Sequence, residues 1–328
     1  MSKSEDIRKR LEAANRGPLP PRKEPEAPSE EEELRRLLRK SQQAKRPAPP
    51  EEEPAKAKPE PIVFQRDLPR RETPSPAPVT GPHVVLEEAV EGVEARTADG
   101  SGVFLVERTL VGGEGTWEQL CSGLAGALES GTSGLRSQLQ YIGAPADLRP
   151  EDLVFFDLET TGLTASPLFL IGAMVWDGQG LVTRQFFARD YSQERAAIEL
   201  FLELAAGRRL LVSFNGKTFD RPYVRTRAAA NTVRCRLDMT HLDLLHVARR
   251  LWRSRVPDCK LQTLERCICG RLRHGDIPGH LIPDAYHAYV RTGNATQMVD
   301  VLQHNFLDLV TMADLIVRLP GVEEDECP

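Results

Sequence analysis

Residues Phe155–Leu163 read FFDLETTGL, inside the longer run DLVFFDLETTGLTASPLFLIGAM that begins at Asp152. The apolar residues predict a strand over 152–158, yet two carboxylates, Asp157 and Glu159, stand at its end. Acids set into an apolar strand need solvent, hydrogen-bond donors or a cation. Strand side chains alternate faces, so Asp157 and Glu159 point the same way, roughly 6.6 Å apart along the chain, while Leu158 points into the packing. Both acids can therefore serve one site. Thr160, Thr161 and Gly162 follow at once and predict a turn, with a second strand over 168–176.

The same reading extends downstream. GLVTRQFFA, after the Asp177-Gly178 turn signal, predicts a third strand in an antiparallel meander. SQERAAIELFLELAA changes to helical spacing, with Ser192 as N-cap and Glu194 or Glu199 in solvent. RLLVSF predicts a fourth strand that ends at Asn215-Gly216 and opens a helix over 217–226, and CRLDM a fifth strand. Helices are expected around 241–254, 260–269, 283–292 and 296–317. This order predicts the α/β class, a mixed sheet flanked by helices.

Upstream, VVLEEAV and GVFLVERTL read as strand pieces around the turn-prone TADGSG, a small β-rich accessory extension over 83–147. Residues 1–82 hold 16 of the 25 prolines and one aromatic, Phe64. Such a segment lacks the apolar surface to offset ordering entropy and predicts a disordered Pro/Glu/Lys-rich tail. Its run EEEELRRLLRK is a candidate amphipathic docking segment for a protein partner. The main domain is expected over 148–319, with a flexible C-terminus over 320–328.

The net charge of −5 gives no support to a polyanion partner and does not exclude one. Six cysteines without a leader sequence, and no apolar run of membrane-spanning length, predict a cytoplasmic chain with reduced thiols and no membrane. Cys259, Cys267 and Cys269, with His274, match no short zinc pattern; Leu264 and Ile268 among them point to a shared apolar helix face. The oligomeric state is not legible in these features.

Two further acids sit in telling contexts. FNGKTFDRP places Asp220 at a helix start just after a strand, and VLQHNFLDLVTMADLI places His304 and Asp308 on one helix face. Hard oxygen donors suit two Mg²⁺ or Mn²⁺ ions, which can activate water and stabilise a departing oxygen. His304 is then the natural general base. Lys217, Arg221 and Arg225 recur every four residues and can meet phosphates or form a solvated basic face. Asn215 either caps the helix or contacts substrate. Asp243, beside His241, is either a supporting group for the site or an ordinary first-turn acid.

Together these motifs resemble the DEDD 3′–5′ exonuclease branch of the ribonuclease H-like superfamily, and within it the YprB-like bacterial proteins, over roughly residues 148–318. The D-x-E motif is matched by Asp157 and Glu159, the N-x-x-x-F-D motif by Asn215, Phe219 and Asp220, and the last motif by His304 and Asp308 in HNFLD. THLDLLHVARRLW, LQTLERCICGRLRHGDIPG and IPDAYHAYVRTG carry the YprB-like resemblance. It implies that Asp157 bridges both ions, Glu159 and Asp308 complete the site of the water-activating ion, Asp220 binds the other, and His304 takes the proton. It also implies that Thr160, Thr161 and Gly162 lie against the terminal nucleotide, Leu163 near its base. The activity implied is stepwise release of nucleoside monophosphates from single-stranded DNA or RNA ends. One departure stands out: family members with a histidine base usually place four residues between it and the aspartate, and here three intervene. A different class of protein, a non-catalytic nucleic-acid-binding or scaffolding module on the same fold, is the alternative.

Overall fold

The computed structural model describes residues 83–110, 116–130, 133–162 and 166–320. The expected tail, Leu163 and residues 321–328 lie outside these. The described residues form an α/β fold around one seven-stranded mixed sheet. Its strands are β1 (Val93–Arg96), β2 (Gly102–Leu110), β3 (Leu153–Thr160), β4 (Leu168–Trp176), β5 (Leu181–Phe187), β6 (Leu210–Ser213) and β7 (Thr240–Asp243). The spatial order is β1-β2-β5-β4-β3-β6-β7. The first five in that row are antiparallel neighbours, and β3, β6 and β7 run parallel.

The meander β3–β4–β5 is the one expected, because short turns can join only antiparallel neighbours. The parallel step from β5 over to β6 needs a crossover, supplied by α4 (Glu194–Ala205). Alternation along β3 decides the two faces. Val154, Phe156 and Leu158 pack with α4 and α5 (Asp220–Ala230), through Phe201 and Val224 among others. Leu153 and Phe155 face the opposite side, toward α6 (Leu244–Leu251) and the long α9 (Thr296–Val317). Asp157 and Glu159 continue that second face.

Several local expectations are corrected. VVLEEAV does not form a strand: Leu86–Ala89 makes a one-turn helix, α1, that buries Leu86 against α8 (Ile282–Thr292) and α9. The following hairpin, β1–β2, joins the main sheet by pairing β2 with β5. The fifth strand lies not at CRLDM but at Thr240–Asp243, where the parallel register with Leu210–Ser213 sets its position. The cap of α4 is Gln193 rather than Ser192, because a short 3₁₀ turn capped by Asp190 precedes it. Glu194 is buried, not solvated: it accepts from Arg227 at 2.6 and 2.7 Å and from the backbone N–H of Leu168 at 2.8 Å. A buried carboxylate with that many donors ties α4, α5 and the start of β4 together, and removing one partner of such a pair costs about 3–5 kcal/mol.

The remaining helices are α2 (Thr116–Glu129), α3 (Gly134–Tyr141) and α7 (Leu261–Cys267). Of the cysteines expected on one apolar face, Cys269 and the half-buried Cys259 pack on the core that holds Leu264 and Ile268, whereas Cys267 is exposed.

Candidate active site

The four acids converge at the C-terminal ends of the parallel strands. β3 ends in a register shift between Glu159 and Thr160, so its last residues leave the regular ladder where the carboxylates stand. The turn beyond is held firmly: Thr160 Oγ1 donates to Gly162 O at 2.9 Å, Thr161 N and Oγ1 both donate to Pro167 O, and the Tyr223 hydroxyl reaches Gly162 O and Ser166 O. Thr160, Thr161 and Gly162 are thus braced from α5.

β6 ends at Ser213, and the chain turns sharply into α5 through Asn215, whose φ is 66°. Asp243 holds this turn. One of its oxygens accepts from Asn215 N at 2.8 Å and Leu245 N at 3.0 Å, and the other from Lys217 N at 3.0 Å. Charge-assisted bonds of this kind are stronger than neutral ones. Asp243 is therefore both the cap of α6 and the clasp of the loop that presents Asp220. Asn215 is exposed and does not cap α5; Lys217 lies in the loop before α5 with its side chain exposed. Gly216 is required here, because a Cβ would fall 2.3 Å from Ser213 Oγ and 2.9 Å from Asp220 Oδ2. Beneath the loop, Ser213 Oγ pairs with His241 Nε2 at 2.7 Å, and burial pulls the His241 pKa down to about 4.

From above, α9 lays His304, Asn305 and Asp308 over β3 and β4. Asn305 is fully buried; its amide donates to Asp157 Oδ2 at 2.9 Å, and its carbonyl accepts from Gln185 Nε2 at 2.8 Å. Asp157, Gly172 and Gln185 stand side by side across β3, β4 and β5. A Cβ on Gly172 would lie 2.0 Å from Asn305 Oδ1, so a glycine at that point lets the helix approach the sheet and Asn305 reach Asp157.

Asp308 has a cationic partner. The buried Arg273 guanidinium contacts Asp308 Oδ1 at 2.5 Å, Glu265 Oε2 at 2.5 Å and Asp276 Oδ2 at 3.3 Å. Burial alone would lower the Arg273 pKa, but the Asp308 and Glu265 carboxylates outweigh it and hold the proton more tightly. Asp276 also accepts from His304 Nδ1 at 2.8 Å, leaving Nε2 3.6 Å from Asp308 Oδ2. The short His304–Asp308 spacing thus stacks the imidazole over Asp308, one helical turn away.

The other three acids have no cationic partner among the described residues. Burial, then repulsion from Asp308, Glu159 and Asp220, raises the Asp157 pKa well above the ordinary carboxylate range. Burial and the neighbouring Asp308, Asp220 and Asp276 do the same to Glu159. Asp220 is pushed up to about 7, chiefly by burial, with Asp243 and Asp308 adding to it. The all-oxygen donor set and its uncompensated charge suit a hard divalent ion. Among the described residues, however, no three His, Cys, Asp or Glu side chains are gathered closely enough to hold one, and Asp308 is engaged by Arg273.

A cleft of about 820 Å³ opens beside these acids, with Asp157 and Asp308 at one end and Arg249, Arg253 and Lys260 on its wall. A family model described as the RNase H superfamily matches residues 154–320, half of the chain, from β3 to just beyond α9. The chain belongs to the RNase H superfamily. Within this RNase H-superfamily chain, a stretch of 192 residues is 34% identical to a Bacillus subtilis (strain 168) protein described as uncharacterized protein YprB, covering 56% of this chain and 46% of the relative. The chain therefore spans about half the length of that relative. Lower likenesses join the RNase H-superfamily chain to two solved structures. One is the family B DNA polymerase from the archaeon Pyrobaculum calidifontis, at 17% identity and a TM-score of 0.40 over 50% of this chain and 24% of that one. The other is the zinc-bound E. coli ExoI–ssDNA complex, at 16% identity and a TM-score of 0.29 over 47% and 42%. Among the described residues no helix is long and apolar enough to cross a membrane.

The position of Asp243 on the strand end, and the roles of Asn305, Gly172, Arg273 and Asp276, were not legible in the sequence. The one available signal was Asn305 itself, a polar residue on the apolar face of a helix between His304 and Asp308.

Proposed function

We propose that this chain is a metal-dependent nuclease that removes nucleoside monophosphates from the 3′ ends of DNA or RNA strands. One observation carries the proposal: Asp157, Glu159 and Asp220 converge on one face of a superfamily fold associated with nucleases, raised in pKa and without a cation to balance them among the described residues. A fold that keeps such repulsion gains from it when divalent cations enter. To hold two Mg²⁺ or Mn²⁺ ions, Asp157, Glu159, Asp220 and Asp308 would have to draw closer together and Asp308 to leave Arg273. Bound there, the ions would supply a water nucleophile at neutral pH and neutralise charge on the departing oxygen.

The chain's own residues do the positioning. Asn305 fixes Asp157 Oδ2, Asp243 fixes the loop that leads to Asp220, and Arg273 fixes one oxygen of Asp308 while leaving the other toward His304. His304, its Nδ1 proton held by Asp276, presents Nε2 on the side of the acids and is the proposed proton acceptor. Thr160, Thr161 and Gly162 provide the seat for the strand terminus.

A second reading, a non-catalytic nucleic-acid-binding or scaffolding module, is favoured by one feature: Arg273 already neutralises Asp308. End-labelled DNA and RNA oligonucleotides separate the two. The nuclease reading expects Mg²⁺- or Mn²⁺-dependent digestion that Asp157→Ala reduces by roughly 10³-fold or more, the loss of several kcal/mol of charge stabilisation. Label placed at the 3′ end should be released first. Wild-type protein inert on both strands with both ions would defeat it in favour of the module.

A further inference from the structure

We propose that the wall formed by Arg249 and Arg253 is a binding track for the body of a single strand whose terminus lies at Asp157, an inference that rests on the nuclease reading and specifies its substrate. The cleft that contains Asp157 and Asp308 continues to Arg249, Arg253 and Lys260, with the aromatic ring of Phe214 along it. One cavity thus joins an acidic end, where cations are needed, to a basic wall, where a polyanion is needed.

Several exposed arginines lack a carboxylate partner among the described residues, Arg234, Arg236, Arg255 and Arg291 included, but of these only Arg249 and Arg253 line the cleft that holds Asp157. Arg189, Arg195, Arg209, Arg225, Arg227 and Arg273 all pair with carboxylates. The Arg249 and Arg253 side chains, by contrast, make no hydrogen bond or ion pair among the described residues, and both are exposed. Arg249 stands in the last turn of α6 and Arg253 just past its C-cap, and both line the same cleft. A preference for cations at a helix C-terminus accounts for Arg249 in the last turn, but Arg253 lies beyond the helix and gains little from its dipole. Lys260 contributes less, since Asp258 is 4.0 Å from it and shares the same wall.

Guanidinium groups that follow a phosphate backbone, interleaved with an aromatic ring on which a base stacks, are the features that bind single strands without sequence preference. Phe214 is half-buried, immediately before the Asn215 turn, so a base stacked on it lies next to the acids. The strand would pass from the Thr160–Gly162 seat along Phe214 and out over Arg249 and Arg253.

The test is the affinity of the full chain for a 5′-fluorescein-labelled dT12 and the matching U12, followed by anisotropy in Ca²⁺ over a series of salt concentrations. Arg249→Ala with Arg253→Ala should weaken binding roughly 10- to 100-fold at low salt and reduce the salt slope by about 1.4, at ~0.7 per lost phosphate contact on a single strand. An unchanged affinity and slope would overturn the track. So would equal displacement of the oligonucleotide by inorganic polyphosphate of the same charge, because the bases would then contribute nothing. The failures are distinguishable: digestion that ignores Asp157→Ala defeats the nuclease reading whatever the binding shows, and digestion that needs Asp157 beside an unaltered double variant defeats only the track.

Discussion

The acidic site has two halves, and they are balanced differently. On the sheet side, Asp157, Glu159 and Asp220 repel one another, offset by the neutral Asn305 amide at Asp157 and a backbone hydrogen bond at Asp220 but by no cation among the described residues. On the α9 side, Asp308, Asp276 and Glu265 surround Arg273 and form a closed ion network with His304. Acids of one cluster are therefore not equivalent. The network is satisfied by the protein itself and gives rigidity, whereas the sheet-side group is left in deficit and is the part that calls for an external cation.

Substitutions on each side should respond in opposite directions. The largest effect is expected at Arg273. Arg273→Met leaves three carboxylates around an apolar side chain, and the metal-free protein should lose about 3–5 kcal/mol in denaturant unfolding. Mn²⁺ should restore a good part of that loss by taking the arginine's place near Asp308; a variant whose stability ignores Mn²⁺ would break the division between the halves.

Asp220→Asn should act the other way. The folded-state pKa of Asp220, about 7, lies above the ordinary aspartate value of about 3.9, so the native state takes up a proton that the unfolded chain does not. Stability of the metal-free wild type therefore falls as pH rises from about 4 to 7, and the cost is complete above that window. Removing the charge should raise stability in EDTA at pH 8 by up to about 4 kcal/mol, with the gain vanishing near pH 4. Equal unfolding free energies at pH 8 would show that Asp220 is already compensated.

A smaller change is expected at Asp243, which lies between the two behaviours as an acid satisfied by backbone N–H groups. Asp243→Asn replaces one acceptor oxygen by a donor facing an N–H, and should cost about 1–3 kcal/mol. Amide hydrogen exchange should rise first at Asn215 and Lys217, the two positions it clasps. Faster exchange spread evenly over the domain would instead make Asp243 a general stability residue.

Much of the fold was legible because its signals are local. The strand–turn–strand run around FFDLETTGL, the change to helical spacing at SQERAAIELF and the apolar period of VLQHNFLDLV each encode an element within a dozen residues. Expectations failed where a distant partner decides. Glu194 reads as a solvated helix acid until Arg227 and the start of β4 close over it. CRLDM alternates like a strand, but β6 selects the following residues as its neighbour. Gly172 looks like an ordinary strand glycine until Asn305 is seen to fill the space above it.

By itself, then, the sequence determined that Asp157 and Glu159 share a strand face, that Asp220 opens a helix and that His304 and Asp308 share another. Strand and helix periodicities dictate these relations without reference to the rest of the chain. Which acid has a counter-charge and which does not depends on long-range packing. Arg273 lies 35 residues from Asp308 in the chain, and Asn305 148 residues from Asp157. No local pattern specifies contacts at such separations; they arise when α9 and the loop carrying Arg273 pack over the sheet, and burial then makes each pairing or its absence count.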